Sequence, residues 1–586
     1  MAARDGARSG VDRLASIAPG LATMLRYRRS WLRGDLLAGV TVAAYLVPQV
    51  MAYAEVAGLP AVVGLWAVVA PLLVYALLGS SRQLSIGPES TTALMTAAAI
   101  GALGAGDPER YASLAAALAL AVGTVSLLGY VGRLGFLADL LSRPVLVGYM
   151  AGIAVLMVVS QLGKLSGMTV GGETPLEQAG YTLAHLGDFR LPTVTLAGVV
   201  LVLLLLGQHY RPTWPNPLLV MVLAAAAVAL LDLEEQGIAV VGSVPRGLPV
   251  PGLPDVDLAT VVELFVPAVG VALVGYTDNV LTGRAFASKH HQHIDAHQEF
   301  LALGVANVAA GLTHAFPVSS SGSRTVIGDA LGSRSQLYSL VTLATVLVTM
   351  VFLGPVLAAF PMAALGGVVV FAAIRLVDVG ELRRIAAFRR SELLIALTTA
   401  GSVLVLGVLP GIGVAISLSI VEVLRRVARP HDGILGYAPD VPGMHDVDDY
   451  PSAKLVPGLV VYRYDAPLFF ANADNFVRRA LAAVDDSASP VEWFLLNAEA
   501  NTEVDMTGVD ALEEVRRTLA ERGVVFAMAR VKQDLREMLS AAGFLESVGE
   551  DRIFLTLPTA VAAYVDAYRD RHGVAPPGVH IPRPPA

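Results

Sequence analysis

Between Leu36 and Val427 the chain is divided into fourteen apolar runs separated by short polar turns. Such a pattern fixes the solvent before it fixes anything else. In hydrocarbon every backbone polar group must be satisfied internally, and about 20 apolar residues carry a helix across about 30 Å of bilayer. The runs begin near Leu36, Ala61, Thr91, Ser113, Val145, Thr193, Pro217, Thr260, Phe300, Ser323, Leu337, Met362, Ser391 and Gly411, and those at Thr91 and Ser323 are short and open on polar residues. Composition agrees, with 55% hydrophobic and 15% charged residues, against about 25% charged in soluble domains. The expected fold is an α-helical membrane protein with 14 transmembrane segments.

Basic residues orient it, because Lys and Arg collect in cytoplasmic loops. Residues 1–33 hold Arg4, Arg8, Arg13, Arg26, Arg28, Arg29 and Arg33. With that segment inside, even-numbered runs return the chain to loops carrying Arg133 and Arg143, Arg211, Arg284 and Lys289, the cluster Arg383, Arg384, Arg389 and Arg390, and Arg425, Arg426 and Arg429. The opposite loops are barer, with Arg110, Lys164, Arg190 and Arg246 as the main exceptions. A multi-pass protein of the plasma (inner) membrane with both termini cytoplasmic is expected. No short apolar region with a small-residue cleavage site precedes the first run, so no cleaved signal peptide is expected. The net charge of −8 is spread out and no basic patch interleaves with aromatics, so no nucleic-acid partner is expected. The chain has no cysteine, which excludes disulfides and thiol chemistry.

Residues 34–430 form the transmembrane part. Beyond Pro430 short apolar runs (458–464, 491–499, 523–531 and 551–557) alternate with helical patterns (473–484, 508–521, 532–542 and 559–568), which predicts a cytoplasmic α/β domain over 431–572. A Pro-rich, disordered tail is expected over 573–586.

The two short runs reveal an internal symmetry. Gln49, polar and inside the first run, precedes Ser90 by 41 positions; Asp278, polar and inside the eighth, precedes Ser323 by 45. Seven runs plus seven, each half with a polar residue in its first helix and a broken third, predict an inverted repeat, because an odd number of crossings reverses the second half. Gly87 and Pro88 break the chain before a helix capped by Ser90 or Thr91, and Pro317 and Gly322 do so before Ser323. Two half-helices then begin in mid-membrane with free N–H groups facing one another, an anion site. Each terminus acts as about half an elementary charge, so with Arg324 the site reaches about +2. The competing expectation is that Arg324 pairs permanently with Glu89 or Asp278 as structural glue. Asp278 and Thr282, four apart, share a helix face; an ionised Asp278 lowers the field, and H+ or Na+ binding restores it.

These residues resemble the sulfate permease (SulP) anion transporter family. The stretch "GDLLAGVTVAAYLVPQVMAYAEVAGLP" (Gly34 to Pro60) is similar to its first-span pattern D-x-x-A-G-x-T-V-A-x-x-x-x-P-Q-x-M-A-Y-A. "QLSIGPESTTALM", "DNVLTGRAFA" and "FPVSSSGSRT" fall where that family has its third, eighth and tenth spans, and the C-terminal region resembles a STAS domain. The resemblance implies two inverted seven-helix repeats, a core domain moving against a gate domain, and a homodimer. It implies a substrate anion, sulfate or bicarbonate among others, held at Gln49, Tyr53, Glu89, Ser90, Thr91, Ser321, Gly322, Ser323 and Arg324, with no cofactor. Asp278 matches the family's acidic position for the coupling ion. Its proton-coupled sulfate carriers tend to have glutamate there, whereas Na+-coupled bicarbonate carriers have aspartate followed by a hydroxyl, as in Asp278 and Thr282; "GRAFA" looks more like the sulfate type.

Lesser signals have plainer readings. Ser85, Ser319 and Ser320 can cap or bond backbone freed by the breaks. His293 and His297 have the i, i+4 spacing of a metal pair, but a solvated basic turn is the better reading and no metal site is expected. Thr507 stands where related anti-sigma-factor antagonists are phosphorylated, a regulatory candidate whose plainer role is an N-cap for the helix from Gly508. The STAS domain implies a cytoplasmic partner that the sequence leaves unidentified. The leading expectation is a secondary active oxyanion transporter, most simply of sulfate, coupled to H+ or Na+. A Na+-coupled bicarbonate transporter, an anion channel and an anion-binding membrane sensor signalling through STAS are the alternatives. No nucleophile–base pair converges on one site and no P-loop appears, so neither an enzyme nor an ATP-driven motor is expected.

Overall fold

The computed structural model describes residues 17–104, 106–139, 142–172, 174–242, 247–438 and 441–577. Arg4, Arg8, Arg13 and Arg246 and most of the Pro-rich tail lie outside the described residues. The chain divides into two compact units, Met1–Ser419 and Ile420–Ala586.

Each of the fourteen apolar runs is occupied by a helix: α1 (Leu32–Val56), α2 (Ala61–Leu78), α3 (Ser90–Ile100), α4 (Pro108–Val131), α5 (Arg143–Ser160), α6 (Leu191–Tyr210), α7 (Asn216–Leu230), α8 (Leu258–Lys289), α9 (Ala296–Leu312), α10 (Gly322–Ala330), α11 (Leu337–Phe352), α12 (Met362–Leu376), α13 (Arg390–Leu406) and α14 (Val408–Ala428). Local chemistry sets several starts. Asp107 accepts from Glu109 N–H and Arg110 N–H ahead of α4, whose first residue is proline, and Asp295 caps α9 in the same way. Among the described residues eight helices are long and apolar enough to cross a bilayer, with α3, α7 and α11 as shorter apolar ones. The shortfall has a clear origin at α3 and α10, with 11 and 9 residues. At about 1.5 Å per residue each reaches roughly half of a hydrocarbon core.

Within the first unit α1–α4 pack chiefly against α8–α11, while α5–α7 pack chiefly against α12 and α13; α1 reaches across to α7 and α12. Small residues permit the closest approaches. A Cβ on Gly64 would lie 1.9 Å from Val50 O, and one on Gly148 would lie 2.0 Å from Ala396 O, so neither helix pair could close on alanine. On the outside, α6 and α7 expose Val199, Val202, Leu205, Leu206, Val222 and Leu223. Exposed aliphatic side chains along apolar helices of this length are what a lipid-facing surface presents. Asp35, fully buried at the start of α1, accepts from Arg334 N–H at 2.7 Å, Ser335 Oγ at 2.7 Å and Tyr27 Oη at 3.0 Å, which joins α1 to the segment entering α11.

The second unit is an α/β domain. β3 (Asp432–Tyr437), β4 (Met444–Asp446), β5 (Leu459–Tyr464), β6 (Trp493–Asn497), β7 (Val525–Ala529) and β8 (Ile553–Phe554) form one sheet in the order β4-β3-β5-β6-β7-β8. β5 to β8 are parallel, and β3 is antiparallel to both its neighbours. α15 (Ala473–Asp485), α16 (Met506–Glu521) and α17 (Gln533–Ala541) contribute to one buried apolar cluster and α18 (Leu557–His572) to another. The four expected strands and helices are present; β3 and β4, more polar and interrupted by glycine, were not anticipated.

Candidate functional site

The two breaks meet. β1 (Ile86–Gly87) pairs antiparallel with β2 (Ser319–Ser320), Ile86 opposite Ser320 and Gly87 opposite Ser319, and Ser321 N–H donates to Ser85 O at 2.8 Å. α3 starts three residues after β1 and α10 two residues after β2, so both half-helices leave one ribbon with their free N–H groups beside it. Both strands of the ribbon are held by residues of the second half. Asn307 on α9 brackets Val318 with bonds of 2.9 and 3.1 Å, while Tyr338 Oη donates to Gln83 O at 2.7 Å and Gln336 Nε2 to Ser81 O and Leu84 O.

A cavity of about 540 Å³ opens beside the ribbon. Gln49 and Tyr53 of α1, Glu89, Ser90 and Thr91 at the start of α3, Gly322 and Ser323 at the start of α10, and Asp278 and Thr282 of α8 all line it. Leu146 and Met150 of α5 and Ala372, Arg375 and Leu376 of α12 form the other wall. The cavity therefore lies between the two packing groups of helices. It runs from the buried half-helix starts to Arg375 and Asp378, both exposed.

Two of the anticipated residues, Ser321 and Arg324, stand behind this lining. Arg324 is fully buried. Its Nε donates to Ser85 Oγ at 3.3 Å, its Nη1 to Gln49 Oε1 at 3.1 Å and to Pro88 O at 3.0 Å, and Glu89 Oε2 lies 3.8 Å from Nη1. Gln49 in turn donates from Nε2 to Tyr53 Oη at 2.9 Å. Arg324 thus fastens α10 to α1 and to the approach to α3, and its charge acts on the cavity from one layer back. Ser321 bonds Ser323 Oγ at 3.2 Å. Neither half-helix is capped by its own serine or threonine: the N-caps are Glu89 and Ser321, with no side-chain cap bond. Ser85 serves Arg324, and Ser320 Oγ donates to Asp278 Oδ2 at 2.9 Å.

The count of about +2 for the site took in Arg324 and the two helix starts but not Glu89. Glu89, counted as ionised, offsets Arg324, leaving about +1 from the two helix starts, and an ionised Asp278 takes this to about zero. Among the polar and charged lining residues Tyr45, Arg375 and Asp378 were missed. Tyr45 was legible, one turn before Gln49 on the same face; Arg375, one charge at the end of an apolar helix, carries no sequence signal that ties it to the cavity.

Elsewhere, His293 lies in the segment before α9 and His297 inside it, stacked on Tyr130 at 4.3 Å, so the helical spacing does not apply. Among the described residues no group of acidic or histidine side chains has metal-binding geometry. Thr507 is exposed in the first turn of α16, whose N-cap is Asp505, accepting from Gly508 N–H at 2.8 Å. The plainer role foreseen for Thr507 belongs to Asp505, whose carboxylate also accepts from Phe470 N–H.

Fold and cavity together define a multi-spanning membrane transport protein with an appended α/β domain. The profile of the Sulfate permease family matches residues 32–399, and that of the STAS domain matches residues 450–560. A probable sulfate transporter of Mycobacterium tuberculosis is 57% identical over 550 residues, covering 94% of this chain and 98% of that protein. Among solved structures, the murine Solute Carrier 26 family member A9 anion transporter in the inward-facing state superposes with a TM-score of 0.86 at 23% identity, over 94% of each chain. The transmembrane domain of a cyanobacterial bicarbonate transporter, BicA, gives 0.58 at 23% identity, over 66% of this chain and 98% of that one. The chain belongs to the sulfate permease family and is a membrane anion transporter with a C-terminal STAS domain.

Proposed function

We propose that this protein is a secondary active transporter of an inorganic oxyanion, sulfate, working by alternating access with H+ or Na+ as the coupling ion. The observation that carries the reading is the cavity in which two half-helix starts, Ser90, Thr91, Ser323 and the ion-binding candidate Asp278 converge between two packing groups of helices. A tetrahedral anion fits such a site, because backbone N–H groups and hydroxyls donate in several directions. Asp278 supplies the coupling: with the carboxylate charged the local field is near zero, and with a cation bound it favours a negative solute. The name of the 57% identical mycobacterial protein supports sulfate.

Fourteen crossings, an inverted repeat, cytoplasmic termini in the plasma (inner) membrane, and a homodimer complete the proposal. In that orientation the end of α12 bearing Arg375 is cytoplasmic, and the cavity faces inward. Phosphorylation of exposed Thr507 would set a dianion at the start of α16, where the helix field favours it, as a signal to a partner of the STAS domain.

The test is uptake of radiolabelled sulfate and bicarbonate into proteoliposomes, with pH and Na+ gradients imposed separately. Sulfate accumulation driven by one gradient is expected, and Asp278→Asn should abolish accumulation while leaving exchange measurable. Uphill transport by Asp278→Asn on the same gradient would overturn the assignment of Asp278. One observation favours a second reading: Asp278 and Thr282 line the cavity together, the aspartate–hydroxyl pair expected of Na+-driven bicarbonate transport, and the same assay decides between them.

A further inference from the structure

A second cavity of about 540 Å³ lies at the other end of α12. Met362 and Ala363, the first residues of that helix, line it, whereas Arg375, near its last turn, belongs to the central cavity. Lys164, Thr169, Tyr181, Asp188, Arg190 and Thr193 are its polar lining. Lys164, in the short helix Leu162–Ser166, holds its Nζ 2.9 Å from Glu55 Oε2, and Glu55 is two positions beyond Tyr53 of the central site. Arg190 is exposed and immediately precedes α6, with one guanidinium N–H on Gly237 O at 3.3 Å.

Thr193 points to a ligand. It is the third residue of α6, 5% exposed, and its hydroxyl has no hydrogen-bond partner among the described residues. Buried hydroxyls are rarely left unpaired. The 20-residue α6 also begins without a side-chain cap, and with Pro192 at its second position and Val194 N–H bonded to Arg190 O, its first turn offers the N–H groups of Leu191 and Thr193. Lys164 and Arg190 against Asp188 and Glu55 cancel in formal charge. What remains for an occupant is the positive start of α6, the idle hydroxyl and the open edge of the Arg190 fork: an arrangement of donors, hence a site for an acceptor.

We propose that this second cavity is a docking site for a small inorganic oxyanion, held by Arg190, Thr193 and the start of α6, and that the anion competes with Glu55 for the ammonium of Lys164. Its substrate class rests on the function proposed above. Glu55 ends a helix of the α1–α4 group, and the helix of Lys164 packs on α5, α6 and α12. Their ion pair ties the two packing groups together, and an anion that takes the ammonium loosens the tie at the end of α12 opposite Arg375.

Equilibrium binding of radiolabelled sulfate to the purified full-length protein tests this. The wild type is expected to bind two sulfates per chain in two affinity classes. Arg190→Gln, at an exposed position, should remove the weaker class. Thr193→Val, nearly isosteric, should weaken it about tenfold through loss of one hydrogen bond to an anion, and Glu55→Gln should tighten it by freeing Lys164. A wild type with one class, or two classes unmoved by both Arg190→Gln and Thr193→Val, overturns the second site and leaves the transport reading intact. A wild type that binds no sulfate overturns both.

Discussion

Gly87 holds a conformation that a side chain resists. Its φ is +154°, and a Cβ placed there would stand 3.3 Å from Arg324 Nη2. Alanine would press on the guanidinium that joins Gln49, Ser85 and Pro88, and strain of this kind is worth about 1–3 kcal/mol. Gly87→Ala is therefore expected to weaken sulfate binding about tenfold, with helix content by circular dichroism unchanged; an unaltered affinity would show that the Arg324 cluster does not shape the site. Arg324 illustrates what single residues disclose. An arginine in an apolar surrounding announces importance through its desolvation alone, but whether it meets the solute or braces the wall depends on partners 236 to 275 positions away.

At the scale of elements, the broken helices were legible because glycine, proline and serine punctuate apolar runs in a way few other structures require. The fourteen helix positions follow from hydropathy for the same reason. The ribbon between β1 and β2 was not legible: four residues with no alternation carry no strand signal, and their pairing is enforced by Asn307, Gln336 and Tyr338 from later helices. Nor did Ser90 or Thr91 become the N-cap: α3 starts at Ser90, Glu89 takes the cap position, and Ser90 Oγ bonds Glu89 Oε1 at 3.1 Å. If the ribbon organises the site, its buried support should matter more than any lining hydroxyl. Asn307→Leu strips the partners from Val318 N–H and C=O, each loss worth about 1–3 kcal/mol. Thermal unfolding in detergent should shift down and sulfate affinity should fall with it; a variant that melts early yet binds normally would separate the support from the site.

The whole molecule is two units with different solvents. The first buries polar groups and exposes aliphatic ones; the second keeps a conventional core in which Phe494 is fully buried among Tyr462 and Phe526. Phe494→Ala should cost about 3–5 kcal/mol and be felt in the STAS unit alone, lowering one of two transitions in differential scanning calorimetry. A uniform shift of both would show that the units unfold as one. In the first unit, the proposed anion site is a composite of segments that emerge from the ribosome far apart. Residues up to Ile100 make one half of the ribbon, and its complement appears only with Ser319 and Ser320. During synthesis the leading coil must wait, unpaired at its broken end, while more than 200 further residues are inserted. On the site proposed above, anion recognition is consequently a late event in biogenesis, and a chain that stops just short of Arg324 carries α1 to α9 without a place for its cargo.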